Sequence, residues 1–401
     1  MITNIASWTR LPLNNSDQVI VKVKQVIDEI SHQGDLKIDE YSQQFDGFKP
    51  QMIQLKSFDE YDLDKSLKNA IITSAKRIQC FAEFQAPKIL KQQFEDELGC
   101  YGQTTTAINR IGAYIPGGKC PLISTALMTL IPAKVAGCHT RIACSPSINP
   151  AILAAVSLAG ATQFWHMGGI PAICAMVLGY QQILPVDLVV GPGNQWVNET
   201  KKQLQDRVKI DGLAGPSELL AICDAQQPIE WIAYDALAQS EHDAVACSLV
   251  ISDDANWLQK LDNFLQSATE FRALVNNQQI QLLLGDSPEA LIEFSQSFAP
   301  EHLMLCHKQI PASQLTQYGS LFIGVNSAVA LGDYISGPNH TLPTQGFARQ
   351  TGGLSVNTFY KTTTFHSIND QGRLQLSQQA MHLAEAEGLS FHKKSMQIRC
   401  E

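Results

Sequence analysis

The sequence predicts an α/β protein built on parallel sheets, and three observations carry that reading. From about residue 109, short β-rich runs alternate with longer apolar helical stretches, as βαβ units do. Several of the β-rich runs end in glycine turns. A second pattern of the same kind begins near residue 218, so one sheet does not account for the whole chain.

Taken in order, residues 17–33 carry Ile20, Val23, Ile27 and Ile30 at helical spacing, with Asp17 as an N-cap and Gly34 as a stop. Residues 64–96 read as a further helix with a polar face. "RIGAYIPGG" is a strand ending in a glycine turn, and "LISTALMTLIPAKVAGC" is an apolar helix. "TRIACSPS", "QFWHMGG" and "VDLVVGPGN" are strands, separated by the helices "AILAAVSLAGA" and "PAICAMVLGY". "LLAICDA" and "ACSLVISDD" flank the helix "IEWIAYDALAQSEH" and form the second unit. After the glycine pair at 352–353 the chain is expected to be mainly helical, an appendage to the rest. No solenoid repeat and no low-complexity segment interrupts this order.

Composition narrows the function classes. With 401 residues, 45% of them hydrophobic and 17% charged, the chain supports two or three real cores. A formal charge of −9 and the lack of any basic tract argue against nucleic acid or an anionic membrane as the main partner. Ten cysteines are scattered, without a CxxC pair and mostly inside apolar segments, where a free thiol acts as a small hydrophobe. The N-terminus lacks a basic region followed by an apolar one, and no apolar stretch is long enough to span a bilayer. A cytoplasmic protein is expected.

Glycine turns at 115–119 ("IPGGK"), 166–169 ("HMGG") and 191–194 ("GPGN") fall at the carboxyl ends of strands. In a parallel sheet, helix N-termini there present free N–H groups to phosphates. None matches a dinucleotide or P-loop fingerprint, so each is a tight turn first; three on one edge favour a nucleotide. Metal-ligating types occur as pairs: Gln239 and His242 three apart on a helix, Asp333 and His340 in a Gly/Pro-rich loop, Glu387 and His392 near the C-terminus. Such pairs are common on solvated surfaces, and spacing does not assemble residues so far apart. A mixed set of amide oxygen, imidazole and carboxylate would suit zinc with positions left open for substrate.

"SFAPEHLMLC" places Glu301 and His302 side by side at the opening of a strand-like run. Neighbours within a strand point to opposite faces, so both reach one cleft only at a strand start or turn, here after Pro300. A salt-bridged pair at a strand end is the plain alternative.

Eight blocks in order resemble histidinol dehydrogenases: "GAYIPGG…PLISTALMTLIPAKVAGC", "GPGNQWVNETKKQL", "IDGLAGPSELLAICD", "QSEHD", "FAPEHLML", "GDYISGPNHTLPT", "GLSV" and "HKKSMQIR". With "GDLKIDEYSQQFDGF" near the N-terminus, the resemblance covers nearly the whole chain. It implies a zinc- and NAD-dependent oxidation of L-histidinol to L-histidine through the aldehyde. By the same resemblance, one zinc ion per subunit is held by Gln239, His242, Asp333 and His392. Substrate is contacted by Ser217, Gln239, His242, His302, Asp333, Glu387 and His392. Glu301 and His302 align with the catalytic acid/base pair, and Tyr114 and Asn194 with NAD contacts. A glutamine that touches NAD in the family is replaced here by Pro171, which offers no side-chain hydrogen bond.

The resemblance also implies two Rossmann-like domains, one inserted in the other. Residues 1–113 with 217–354 form the first, 114–216 the inserted one, and 355–401 an extension docking on the partner of a homodimer, whose site it completes. Two rival functions keep the same residues: a paralogue oxidising another amino- or hydroxy-alcohol, and a catalytically silent zinc- or ligand-binding relative with weakened NAD binding. Glu301 and His302 weigh against the silent protein, which has no need of a base.

Overall fold

The computed structural model describes residues 2–10, 17–118, 121–213, 215–241 and 244–401. In chain order its strands and helices are β1 (Ile2–Asn4), α1 (Asp17–Gln33), α2 (Asp35–Phe45), β2 (Gln51–Met52), α3 (Lys65–Gln85), β3 (Lys91–Asp96), β4 (Gly99–Ala107), β5 (Arg110–Tyr114) and α4 (Ile123–Ala136). They continue with β6 (Thr140–Ser145), α5 (Pro150–Ala159), β7 (Gln163–His166), α6 (Gly169–Leu178), β8 (Leu188–Val190), α7 (Gln195–Gln203), β9 (Lys209–Ile210), β10 (Glu218–Cys223) and α8 (Ile229–Ser240). The rest are β11 (Cys247–Ser252), α9 (Ala255–Leu265), α10 (Thr269–Asn276), β12 (Ile280–Leu284), α11 (Pro288–Phe298), β13 (His302–Cys306), β14 (Ser320–Ile323), α12 (Val329–Tyr334), β15 (Tyr360–Ile368), α13 (Asp370–Ala386) and α14 (Ser390–Gln397).

The chain forms two compact units. The first, Met1–Gln85 with Asn109–Phe359, holds two six-stranded sheets. One is wholly parallel, in the order β1-β12-β11-β10-β13-β14. The other runs β2-β7-β6-β5-β8-β9 and is parallel except for the short β2, which pairs antiparallel with β7. Strands covered on both faces are apolar throughout rather than alternating. Every residue of β10 and β13 is buried, the catalytic candidate His302 included. The α/β class and the parallel sheets read from the sequence are therefore present.

Helix α1 turns Val19, Val23, Val26, Ile27 and Ile30 onto the second sheet's core, whereas Ile20, expected on that stripe, is half out in solvent. Gly191, with φ at +112°, shows why the "GPGN" turn needs glycine. A Cβ there would meet the Tyr114 carbonyl oxygen at 2.1 Å.

The second unit, Ala86–Ile108 with Tyr360–Glu401, is a three-stranded antiparallel sheet, β15-β4-β3, with helices α13 and α14. Here the sequence reading needs correction. Residues 64–96 do not form one helix: α3 ends at Gln85 and β3 begins at Lys91. Pro87 explains the break, because the residue before a proline is driven out of the helical region and proline itself lacks the N–H the next turn would need. The C-terminal segment is mainly helical, as expected, and opens with a nine-residue strand before its helices.

Candidate active site

The arrangement begins with one strained residue. Helix α11 ends at Ala299, a buried non-glycine residue with φ at +48°, held by its N–H donating to the Ser295 carbonyl at 2.8 Å. Left-handed backbone at a residue bearing a Cβ costs roughly 1–2 kcal/mol and tends to persist where function requires it. The turn swings Pro300 and Glu301 to the start of β13. Glu301 lies one residue before the strand and His302 is its first residue, so the pair is not forced onto opposite faces. On the neighbouring strand start, Gly319 donates to the Pro300 carbonyl and Ser320 to that of Glu301, both at 2.9 Å. A Cβ on Gly319 would stand 2.6 Å from the Glu301 carbonyl oxygen, so only glycine permits this close approach.

Both side chains are buried, Glu301 at 6% and His302 at 3% exposure. Glu301 Oε2 accepts the Glu218 backbone N–H at 2.8 Å and lies 3.5 Å from His302 Nδ1. The same Nδ1 is 3.3 Å from the Glu218 carbonyl oxygen. A carbonyl oxygen only accepts, so Nδ1 carries a hydrogen in this contact. Nε2 in turn lies 3.7 Å from Asp333 Oδ1, on α12. Burial pushes the imidazolium down, but Glu301, Asp333 and the Glu218 carbonyl outweigh it, and the net direction is up. Such an imidazole readily accepts a proton at Nε2. It opens on a cavity of about 320 Å³, lined also by Ser320, Phe322, Leu331, Asn339 and His340.

Behind the pair lies a polar network. Glu218, 2% exposed, forms an ion pair with Arg10 Nη1 at 3.2 Å and accepts from the Gln345 backbone N–H at 3.1 Å and from Gln345 Nε2 at 3.0 Å. Burial raises its pKa to about 7, with Arg10 opposing.

The other expected site residues are placed as follows. Gln239 lies in the last turn of α8, 2% exposed, and its Nε2 has no hydrogen-bond partner among the described residues. The two ends of an amide exchange by a half-turn of its plane, so this position can present an oxygen to a ligand. His242 lies outside the described residues. Ser217 precedes β10 half-buried, its carbonyl accepting from Cys247 N–H at 3.0 Å. Glu387 caps the C-terminal end of α13 and His392 lies on α14, both exposed and both in the second unit. Within the first unit the structure thus joins Glu301, His302 and Asp333. Among the described residues no three His, Cys, Asp or Glu side chains converge as a metal cluster. The orphaned Gln239 amide and the amide, imidazole and carboxylate types of the set fit a zinc ion, and a ligand there would relieve a buried polar group that costs about 1–3 kcal/mol unpaired.

The nucleotide candidates gather on the other sheet, at the carboxyl ends of β5, β7 and β8. Tyr114 Oη accepts from Gly169 N–H at 3.3 Å, and burial raises its pKa to about 12. Asn194 is the N-cap of α7, accepting from the Trp196 and Val197 N–H groups at 3.0 and 3.2 Å. The Gly168 N–H at the start of α6 is taken by Asp46 Oδ2 at 2.9 Å. Pro171 is the third residue of α6, not its first, and is buried. Tyr114 and Asn194 thus lie at the strand ends where a nucleotide is expected, and Pro171 has no side-chain hydrogen bond to offer there.

His340 was only a metal-pair candidate in the sequence. Its Nδ1 donates to the Asp333 carbonyl at 2.8 Å, Nε2 lies 3.3 Å from Thr125 Oγ1, and burial lowers its pKa. Its position seven residues after Asp333 in one Gly/Pro loop was the available signal. Arg10, Glu218 and Gln345 gave none, being far apart in sequence.

Comparison with known proteins shows the family. The family model described as histidinol dehydrogenase matches residues 10–400. Histidinol dehydrogenase 1 of Nostoc sp. is 36% identical, covering 94% of this chain and 91% of that protein. Histidinol dehydrogenase of Haloarcula marismortui is 35% identical, covering 96% and 94%. The crystal structure of histidinol dehydrogenase from Elizabethkingia anophelis superposes with a TM-score of 0.87 at 35% identity, covering 97% of this chain and 94% of that one.

Proposed function

The chain belongs to the histidinol dehydrogenase family, and on that premise we propose that it is a zinc- and NAD-dependent enzyme oxidising L-histidinol to L-histidine through the aldehyde, in histidine biosynthesis. The observation that carries the reading is the buried Glu301–His302 pair, with Nδ1 of the imidazole held as donor, Nε2 3.7 Å from Asp333 Oδ1, and the His302 ring lining the cavity.

Taking an alcohol to an acid requires two proton removals, two hydride departures and one addition of water. NAD supplies the hydride acceptor for both oxidations. His302 Nε2 takes the hydroxyl proton, its positive charge then stabilised by Glu301 and Asp333. Glu301 receives the proton of the water that adds to the aldehyde, giving a hydrate for the second oxidation. Burial of the pair excludes bulk water and strengthens both interactions. Gln239, His242, Asp333 and His392 would hold zinc, which supplies a Lewis-acid anchor for the nitrogen atoms of the substrate. Ser217 and Glu387 complete the substrate contacts, and Tyr114 and Asn194 those to NAD.

We further propose a cytoplasmic homodimer whose C-terminal segments are exchanged; no helix among the described residues is long and apolar enough to cross a membrane. Exposed Phe391 at 89% and Leu383 at 66% on α14 and α13 support a docking role for that segment. The domain limits 1–113 with 217–354, 114–216 and 355–401 belong to the same proposal. Neither a different alcohol nor a silent relative is favoured.

The test is direct: purified protein with zinc, NAD and L-histidinol should yield L-histidine by chromatography. Turnover of other alcohols but not of histidinol would overturn the assignment.

A further inference from the structure

The reaction just proposed uses Glu301 and His302, yet neither is held by the strand alone. Two backbone segments far apart in sequence must be kept in register: the start of β10 and the α11–β13 turn. Glu218 meets both reacting side chains through its peptide groups. Its N–H donates to Glu301 Oε2 at 2.8 Å and its carbonyl faces His302 Nδ1 at 3.3 Å. A rotation of that residue would therefore misplace the acid and release the tautomer of the base together.

What stops the rotation is Arg10. One arm of its guanidinium, Nη1, pairs with Glu218 Oε1 at 3.2 Å. The other, Nη2, donates to the Phe298 carbonyl at 2.6 Å, three residues before Glu301, and the guanidinium lies 4.0 Å over the Phe298 ring. A planar fork with fixed donor directions can hold two partners at a set separation, whereas a lysine ammonium acts as a point charge. Gln345 holds the second edge of the Glu218 carboxylate with two bonds. The Glu218 side chain is 2% exposed, in a place where a carboxylate without these partners would be costly.

On the reading of Glu301 and His302 as the reacting pair, we infer that Arg10 and Glu218 are positioning residues that set the geometry of both catalytic groups through the backbone. Neither is among the residues proposed to contact substrate or cofactor. Their effect falls chiefly on kcat, because the misplaced groups act in the transition state, with only a small change in KM.

The experiment compares Arg10→Ala, Arg10→Lys and Glu218→Gln with the wild-type enzyme, each checked for thermal unfolding and bound zinc. Arg10→Ala should lower kcat for histidinol about 100-fold, the scale of a small misplacement of reacting groups, while KM changes by no more than about threefold. Added methylguanidinium should restore at least about a tenth of the lost rate, and the Arg10→Ala, Glu218→Gln double variant should be little worse than either single one, because the two residues act as a unit. Arg10→Lys, which keeps charge and folding but not the fork, should remain slow. Wild-type kcat in folded Arg10→Lys or Glu218→Gln, a loss confined to KM, or failure of methylguanidinium to rescue a folded Arg10→Ala would each overturn the inference. Inactive wild-type enzyme would instead refute the proposed reaction.

Discussion

Asp235 offers a prediction whose size follows from the structure. The residue is on α8, 8% exposed, and its Oδ1 accepts the backbone N–H of Val329 at 3.1 Å. Val329 opens α12, the helix that brings Asp333 to His302. Removing the acceptor in Asp235→Ala strands a buried N–H, which costs about 1–3 kcal/mol, whereas Asp235→Asn keeps an oxygen in place. The pH dependence separates charge from bonding. Burial raises the Asp235 pKa from 3.8 to about 6. Between those values the native state binds a proton that the unfolded chain has lost, so stability declines as pH rises through the window. At about 1.4 kcal/mol per unit, the decline over two units is about 3 kcal/mol. Asp235→Asn does not titrate, so its stability should gain about 3 kcal/mol on wild type between pH 4 and pH 7.5. Urea unfolding of the three proteins at both pH values measures this directly. A gap between wild type and Asp235→Asn that stays constant with pH, or Asp235→Ala as stable as Asp235→Asn, would refute the reasoning.

Three further outcomes are expected. His302→Ala should slow oxidation of both alcohol and aldehyde by about 10²–10⁴-fold, while Glu301→Gln should impair the aldehyde more than the alcohol; equal losses in Glu301→Gln, by stopped-flow with each substrate supplied, would contradict the division of roles. Gln239→Leu should lose zinc by elemental analysis yet leave the metal-free protein at least as stable, since it removes a buried amide end that has no partner among the described residues; a destabilised metal-free variant would count against the site. Mixing His302→Ala with His392→Ala under subunit exchange should restore activity, because exchanged tails leave one site of each mixed dimer intact; a dead mixture despite demonstrated exchange would place each tail on its own subunit.

Much of the fold was legible because parallel sheets write themselves as continuous apolar runs, as β10 and β13 do, with helices between them. The candidate acid/base pair stood out for a related reason: a proline followed by two ionisable residues at the head of such a run is out of place in a core. What stayed hidden was non-local. Arg10, Glu218 and Gln345 meet only in three dimensions, and nothing in their surroundings marks them. The break at Pro87 was readable but was overridden by the helical pattern on either side, and β3, exposed along its whole length, gave no apolar alternation to find. General rules also misdirect in one respect. Ligands in open α/β sheets sit at the carboxyl ends of strands, yet Glu301, His302, Glu218 and Ser320 cluster at the amino ends of β13, β10 and β14.

The central claim, that one site carries an alcohol through the aldehyde to the acid, is tested most directly by the stoichiometry of NADH formed against L-histidinol consumed in zinc-loaded enzyme. The account predicts two NADH for each L-histidine, with no free aldehyde released to a trapping hydrazine. A ratio of one with trapped aldehyde, or no NADH at all, would contradict it.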